Sequence, residues 1–147
     1  MPANPFSQEY RDTVMSDYLD ISGRSTYDST KDEASHFDFN AIKDRPFPYF
    51  TQSTRTVGQQ LMLQGFVLNS VSLAPGSTIL EFGPGWGNTT MHLAQAGFKV
   101  TAVDVFEGFV RLIKYRAEQL KVDIEVVQSD MLDYSSSKKF DVILFFE

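Results

Sequence analysis

The residues of this 147-residue chain that could do chemistry are few and regularly placed. Three glycines stand at alternate positions, Gly83, Gly85 and Gly87, two residues behind an acid, Glu81. Further acids follow at Asp104, Asp130 and Glu147, and the two histidines are His36 and His92. Alternate glycines let the backbone take positive φ and let a ligand approach the main chain. Asn88, Thr89 and Thr90 come next and suit the first turn of a helix, where side-chain oxygens can satisfy free N–H groups. A helix opened by glycines presents those N–H groups, and the positive end of its dipole, to an anionic group such as a carboxylate. The chemistry implied is binding of a small polar ligand by backbone amides, with acids placed to accept from hydroxyl or amino groups.

The elements that must carry these residues alternate between strand and helix. Thr78–Phe82 is a short apolar run of the kind found in strands covered on both faces. A helix over 88–96 ends at Gly97, and Phe98–Asp104 is the second strand. A helix over 106–120 follows, with Phe106, Phe109, Val110, Ile113, Ala117 and Leu120 on one stripe. Asp104 and Glu107 together suit a capping box for it. Asp123–Gln128 is the third strand, and Ser129–Lys139 is polar, with room for one or two helical turns at most. Phe140–Phe146 is a strongly apolar fourth strand. This order implies a parallel sheet with right-handed crossovers, whose ligand sits beyond the carboxyl ends of the strands. The glycine loop, Asp104, Asp130 and Glu147 all fall at those ends.

Upstream, Pro75-Gly76 forces a turn, and Ser53 or Thr54 can cap a helix over 55–72 with Val57, Leu61, Leu68 and Val71 on one face. Residues 24–53 are irregular yet rich in aromatics, Tyr27, Phe37, Phe39, Phe47, Tyr49 and Phe50 among them, too many for a disordered linker. A helical turn near Lys31–His36 fits there, and Phe6, Tyr10, Val14, Tyr18 and Ile21 make one stripe of an amphipathic helix over 6–21. Two regions result: an extension over 1–53 and a ligand-binding domain over 54–147.

Composition narrows the classes. Net charge is −6, with 6 basic and 9 acidic residues in 1–73 and 7 and 10 in 74–147, so neither half has the basic footprint of a nucleic-acid binder. The absence of cysteine rules out disulfides and thiolate metal sites, and the two histidines lie too far apart in sequence for metal-ligand spacing. The N-terminus lacks a signal-peptide pattern and no apolar run is long enough to span a membrane, which makes a cytoplasmic protein the default. The phosphate loop GxxxxGK[ST] is absent. The dinucleotide fingerprint GxGxxG fails because Asn88 stands at its last glycine.

What remains, Glu81-Phe82-Gly83-Pro84-Gly85-Trp86-Gly87, resembles motif I of the class I S-adenosylmethionine-dependent methyltransferases. The resemblance covers about residues 55–147. It implies an α/β, Rossmann-like parallel sheet flanked by helices, preceded by a helical and irregular N-terminal extension. Only about four of the family's usual seven strands are present, as if the chain were cut after the fourth. On that reading residues 1–147 alone are expected to be inactive, and poorly soluble through an open apolar edge at strand four. The implied cofactor is S-adenosyl-L-methionine. Gly83, Pro84, Gly85, Trp86 and Gly87 would form the loop around it, and Glu81 would help hold its ammonium. Asp104, followed by Val105, would take the ribose hydroxyls, while Asp130 and Met131 would contact the adenine. Glu147 would lie near the methionine end. The catalytic group is left open, with His36 and Glu147 as candidates, whereas His92 reads as a packing or surface residue. The implied activity is methyl transfer to an unidentified acceptor, expected to be a small molecule rather than nucleic acid. A non-catalytic S-adenosylmethionine-binding domain and an NAD(P)-dependent oxidoreductase are the alternatives.

Overall fold

The structure is a computed structural model that describes residues 37–46 and 54–145. The chain divides into two compact units, Met1–Phe37 and Asp38–Glu147. This groups the short segment Asp38–Pro46 with the sheet, ahead of the 53/54 boundary expected from composition. The expected helix over 6–21, the turn near Lys31–His36, and the residues His36, Phe47, Tyr49, Phe50 and Glu147 lie outside the described residues.

In chain order the elements are α1 (Phe39–Ile42), α2 (Thr54–Val71), β1 (Thr78–Phe82), α3 (Asn88–Gln95), β2 (Lys99–Asp104), α4 (Glu107–Leu120), β3 (Ile124–Gln128) and β4 (Val142–Phe145). The four strands form one parallel sheet in the order β3-β2-β1-β4. Strand order therefore reverses beside β1, which puts the switch point at the glycine loop. The start of β4 is pinned to the start of β1: Thr78 donates to Asp141 Oδ2 from its backbone N–H at 2.8 Å and from its hydroxyl at 2.9 Å.

The register assigns the two faces. Ile79, Glu81, Val100, Ala102, Asp104, Ile124 and Val126 share one face by alternation. The core lies on that face and is covered by three helices. Val67 of α2 and Leu93 of α3 pack with Ile79, Phe98 and Val100, and Val142 and Leu144 of β4 join them. Met91 of α3 packs with Ile113 and Ala117 of α4, against Ile124 and Val126. On the opposite face Leu80 and Val103 are buried, but toward β4 Ile143 and Phe145 are 53% and 64% exposed.

Several local expectations need correction. The inward side of α2 is Gln64 and Val67, while Leu61 and Phe66 are exposed. Leu68 and Val71 of the expected face do pack on that core, and Gln64 joins the inward side by reaching Thr89 Oγ1 of α3 at 3.2 Å. Asn88, Thr89 and Thr90 do not cap α3 with their side chains. Its N-cap is Gly87, at φ +76°, and the three side chains are buried in the helix-covered layer. The capping box on α4 does not form either. Phe106 is the N-cap without a side-chain bond, and Asp104 Oδ1 instead accepts from Phe106 N–H at 2.9 Å, two residues on. The Ser129–Lys139 connection makes a single turn, Asp130 C=O accepting from the Asp133 and Tyr134 N–H groups. Among the described residues no helix is long and apolar enough to cross a membrane, and no group of His, Asp and Glu could hold a metal ion.

Candidate functional site

A cleft of about 470 Å³ opens at the carboxyl ends of the strands, lined by Phe82, Gly83, Val103, Asp104, Val105, Ser129, Asp130, Met131 and Phe145. A larger hollow of about 650 Å³ lies at the amino edge, around Thr78, Thr101 and Glu125. That hollow carries the Lys138–Glu125 ion pair at 2.5 Å and lacks the glycine loop. Since ligands of open parallel sheets bind at the carboxyl edge, the smaller cleft is the candidate site. Its volume falls within the usual range for small-molecule pockets.

The glycine loop forms one end of this site. Gly83, Gly85 and Gly87 all have positive φ, but for different local reasons. A Cβ on Gly83 or Gly85 would meet open space, which is what a backbone cradle for a ligand requires. A Cβ on Gly87 would stand 2.9 Å from Ile113 Cγ1, so that glycine is demanded by packing against α4. The loop is tied at several points. Gly83 N–H bonds Val103 C=O at 2.9 Å, Gly87 N–H bonds Pro84 C=O at 2.9 Å, and Gly85 N–H donates to Asp104 Oδ2 at 3.2 Å. Arg116 of α4 donates from Nη1 to the Trp86 carbonyl and from Nη2 to the Ile42 carbonyl at 3.3 Å.

Asp104 ends β2 with its side chain buried, accepting from Phe106 and Gly85 N–H groups. Burial raises its pKa, against the lowering pull of those bonds. These N–H bonds leave acceptor capacity on the carboxylate for a ligand hydroxyl. Glu81 is 2% exposed and accepts from Thr90 Oγ1 at 2.6 Å. Desolvation raises its pKa to about 7, and the nearby Asp104 charge adds to this in spite of the Thr90 bond. Neither acid is relieved by a described cation, so this end of the sheet favours a cationic ligand group over a pyrophosphate.

The other wall is the turn after β3. Asp130 Oδ1 accepts from Leu132 N–H at 2.8 Å and stays exposed, and Val105 and Met131 are 65% and 55% exposed on the cleft. Of the residues singled out from sequence, Gly83, Asp104, Val105, Asp130 and Met131 line one cleft. Pro84, Gly85, Trp86 and Gly87 are in the loop beside it, and Glu81 lies buried behind it against α3. Trp86 packs on the Met91–Ile113–Ala117 cluster. His92 is half-buried on α3, where burial lowers its pKa. Sequence reasoning missed Ser129, Phe82, Val103 and Phe145 as lining, and Arg116 as a loop contact. The signal for Arg116 was available: it stands three residues after Ile113 on the inner stripe of α4, where a charge is out of place.

Residues 79–147 match the family model described as "Methyltransferase domain". These residues are similar to the methyltransferase domains of S-adenosylmethionine-dependent enzymes. Ribosomal RNA small subunit methyltransferase A of Deinococcus radiodurans is 36% identical over 86 residues, 55% of this chain and 28% of that protein. The S-adenosyl-L-methionine-dependent Diels-Alderase iliD of a Neonectria species is 29% identical over 133 residues, 90% of this chain and 49% of that protein. The crystal structure of coclaurine N-methyltransferase, bound to N-methylheliamine and S-adenosylhomocysteine, superposes with a TM-score of 0.59 at 18% identity, over 95% of this chain and 45% of that one. The chain thus spans half or less of the length of these relatives, and the four-stranded sheet is the methyltransferase-like α/β fold expected from its sequence.

Proposed function

We propose that the chain carries the cofactor half of an S-adenosylmethionine-dependent methyltransferase acting on a small-molecule acceptor. The observation that carries the reading is the meeting, in one carboxyl-edge cleft, of Gly83 with Asp104 from β2 and Asp130 and Met131 after β3, with Gly85 in the loop beside it and both glycines free of neighbours where a Cβ would stand. The residues fit the cofactor in kind. Gly83 and Gly85 offer main chain for its methionine and ribose portions. Asp104 has free acceptor capacity for ribose hydroxyls. Asp130 can accept from an adenine amino group, with Val105 and Met131 as apolar cover. Glu81, buried behind the loop, would serve the ammonium through water, and its carboxylate would be stabilised by that charge. Pro84, Trp86 and Gly87 shape the loop. His36 and Glu147 remain the candidates for acceptor chemistry. The cofactor supplies the electrophile, a methyl group on a sulfonium, and the protein aligns the acceptor and excludes water.

A small-molecule acceptor is supported by net charge −6 and by the reach of the matches. The ribosomal RNA enzyme aligns with 55% of this chain, whereas the Diels-Alderase aligns with 90%, extending into the N-terminal region. That same relative favours a second reading: a domain that binds S-adenosylmethionine without transferring its methyl group. Calorimetry with S-adenosylhomocysteine and NADH tests the cofactor, and tighter NADH binding would overturn it. Incubating the full-length protein with methyl-labelled cofactor and separate small-molecule and RNA fractions tests the rest. Label in the small-molecule fraction is expected. Label in RNA would replace the acceptor class, and bound but unconsumed cofactor would favour the second reading.

A further inference from the structure

We propose that Arg116 is a positioning residue for the glycine loop, locking the Trp86 peptide so that the loop backbone beside the cleft keeps its shape; this rests on the cofactor reading above. Arg116 is 2% exposed in the middle of α4. Burying a guanidinium costs several kcal/mol before its bonds are counted, so such a residue is poor evidence for stability alone. Its fork here spans two backbone carbonyls: Nη1 to Trp86 in the glycine loop, Nη2 to Ile42 at the end of α1. Its charge also lies over the Trp86 indole, 5.7 Å from the ring centroid.

The place of that grip is what gives it a role. The Trp86 carbonyl sits between Gly85, at φ +52°, and Gly87, at φ +76°. Flanking glycines make this peptide easy to rotate, and rotation would swing the Gly85 and Gly87 backbone together. Four described contacts oppose it: Asp104 on the Gly85 N–H, the Pro84 carbonyl on the Gly87 N–H, Ile113 beneath Gly87, and Arg116 on the Trp86 carbonyl. Ile113 and Arg116 are one helical turn apart, so α4 holds the loop at two adjacent points. The bond to Ile42 fixes the other end of the fork, which stops the guanidinium from following the loop. Holding a binding loop in its bound shape raises affinity by lowering the ordering cost.

The test uses the protein's only tryptophan, Trp86, as a reporter on the loop itself. In Arg116→Gln we expect red-shifted emission, easier acrylamide quenching, and S-adenosylhomocysteine affinity about tenfold weaker, the scale of losing a charged donor. A cooperative thermal melt, recorded alongside, shows that the chain is folded at the assay temperature. Should Arg116→Gln not fold, Arg116→Lys carries the test. It keeps the charge but can serve only one carbonyl, so partial loss of affinity and an intermediate quenching constant are expected. A folded variant with wild-type quenching and affinity within about twofold of wild type overturns the proposal, because a residue that only packs would lower the melting temperature and leave both readouts alone. If the wild-type protein binds no S-adenosylhomocysteine, the cofactor reading fails instead, and the Trp86 emission and quenching still decide whether Arg116 holds the loop.

Discussion

The two walls of the carboxyl-edge cleft are built to different standards of rigidity. The glycine loop is held by β2 through Asp104 and Val103, and by α4 through Ile113 and Arg116. The Asp130 turn is held chiefly by itself: its carboxylate and carbonyl accept from Leu132, Asp133 and Tyr134, and Met131 and Leu132 stand exposed. A preformed loop suits the ligand parts that must be placed to a fraction of an ångström, near the reacting atoms. An adjustable turn suits a flat ring that needs cover and one or two hydrogen bonds. Breaking the first wall should therefore cost folding and binding together, and breaking the second should cost binding with little loss of stability.

The largest effect is expected inside the loop, where two glycines differ. Gly87→Ala combines a left-handed backbone with a Cβ 2.9 Å from Ile113 Cγ1. Strain plus overpacking should cost roughly 2–5 kcal/mol, read from urea denaturation. Gly85→Ala meets open space at φ +52° and should cost only about 1–2 kcal/mol of stability, while obstructing the ligand. Equal destabilisation by the two would mean that α4 does not brace the loop.

Next comes Glu81. Its pKa is raised to about 7 in the fold, against an ordinary 4.5, so the native state holds a proton that the unfolded chain has released. The linkage sign is negative: this contribution is fully present below about pH 4.5 and is lost as pH rises through about 7, by at most about 3 kcal/mol. Asp104, also raised, acts in the same direction. Glu125 and Asp141 are lowered by their hydrogen bonds and act oppositely, losing stability in acid. Glu81→Gln should flatten the fall in melting temperature between pH 5 and 8 and make the apoprotein more stable at pH 8. Cofactor affinity should run the other way in the wild type, rising through pH 7 as Glu81 ionises to meet a cationic group. An unchanged pH–stability profile in Glu81→Gln would remove that carboxyl from both effects.

Asp104 joins the walls, and its removal should fall between them. Asp104→Ala deletes the acceptor for the Gly85 and Phe106 N–H groups, and with it the proposed partner of the ribose hydroxyls. Cofactor affinity should drop by roughly 1.5–3 kcal/mol and stability by about 1 kcal/mol. Loss of stability with affinity intact would leave Asp104 as a turn-former only.

The rigid wall was also the more legible one in sequence. Gly83, Gly85 and Gly87 announce positive φ because little else tolerates it, and the strands around them carry an unbroken apolar signal. The order of elements, and the gathering of Gly83, Asp104 and Asp130 at one edge, followed from parallel-sheet topology, while Met131 was singled out by the resemblance. What sequence could not supply was side-chain choice among competing partners. Asp104 and Glu107 have the spacing of a capping box, yet the carboxylate turned to the nearer Phe106 N–H and to Gly85 across the crossover. Asn88, Thr89 and Thr90 look like caps, but the helix-covered layer took two of those side chains as partners for Glu81 and Gln64. On α2, Leu68 and Val71 of the apolar stripe face the core as expected, but Leu61 is exposed and the polar Gln64 is buried, bonded to Thr89 of α3. Local pattern names the element, and the neighbour decides which atoms bond.

The smallest effect is expected at Asp130, and it separates the two walls most cleanly. Asp130 is exposed, and its described side-chain bond is to Leu132 N–H at 2.8 Å, two residues away in its own turn. Removing such a bond at the surface leaves the amide to water, so Asp130→Ala should lower stability by no more than about 0.5–1 kcal/mol. Binding is another matter if the carboxylate takes an adenine amino group, for which a loss of about 1–1.5 kcal/mol is expected, roughly tenfold in affinity. Inosine-type analogues, in which the amino group is replaced, supply the second arm of a double-mutant cycle. The wild type should prefer the adenine form over the analogue, and Asp130→Ala should bind the two alike. If the variant keeps the full preference for adenine, Asp130 shapes the turn without reading the base. Met131 and Val105 would then act through apolar cover alone, and the second wall would contribute shape without polar discrimination.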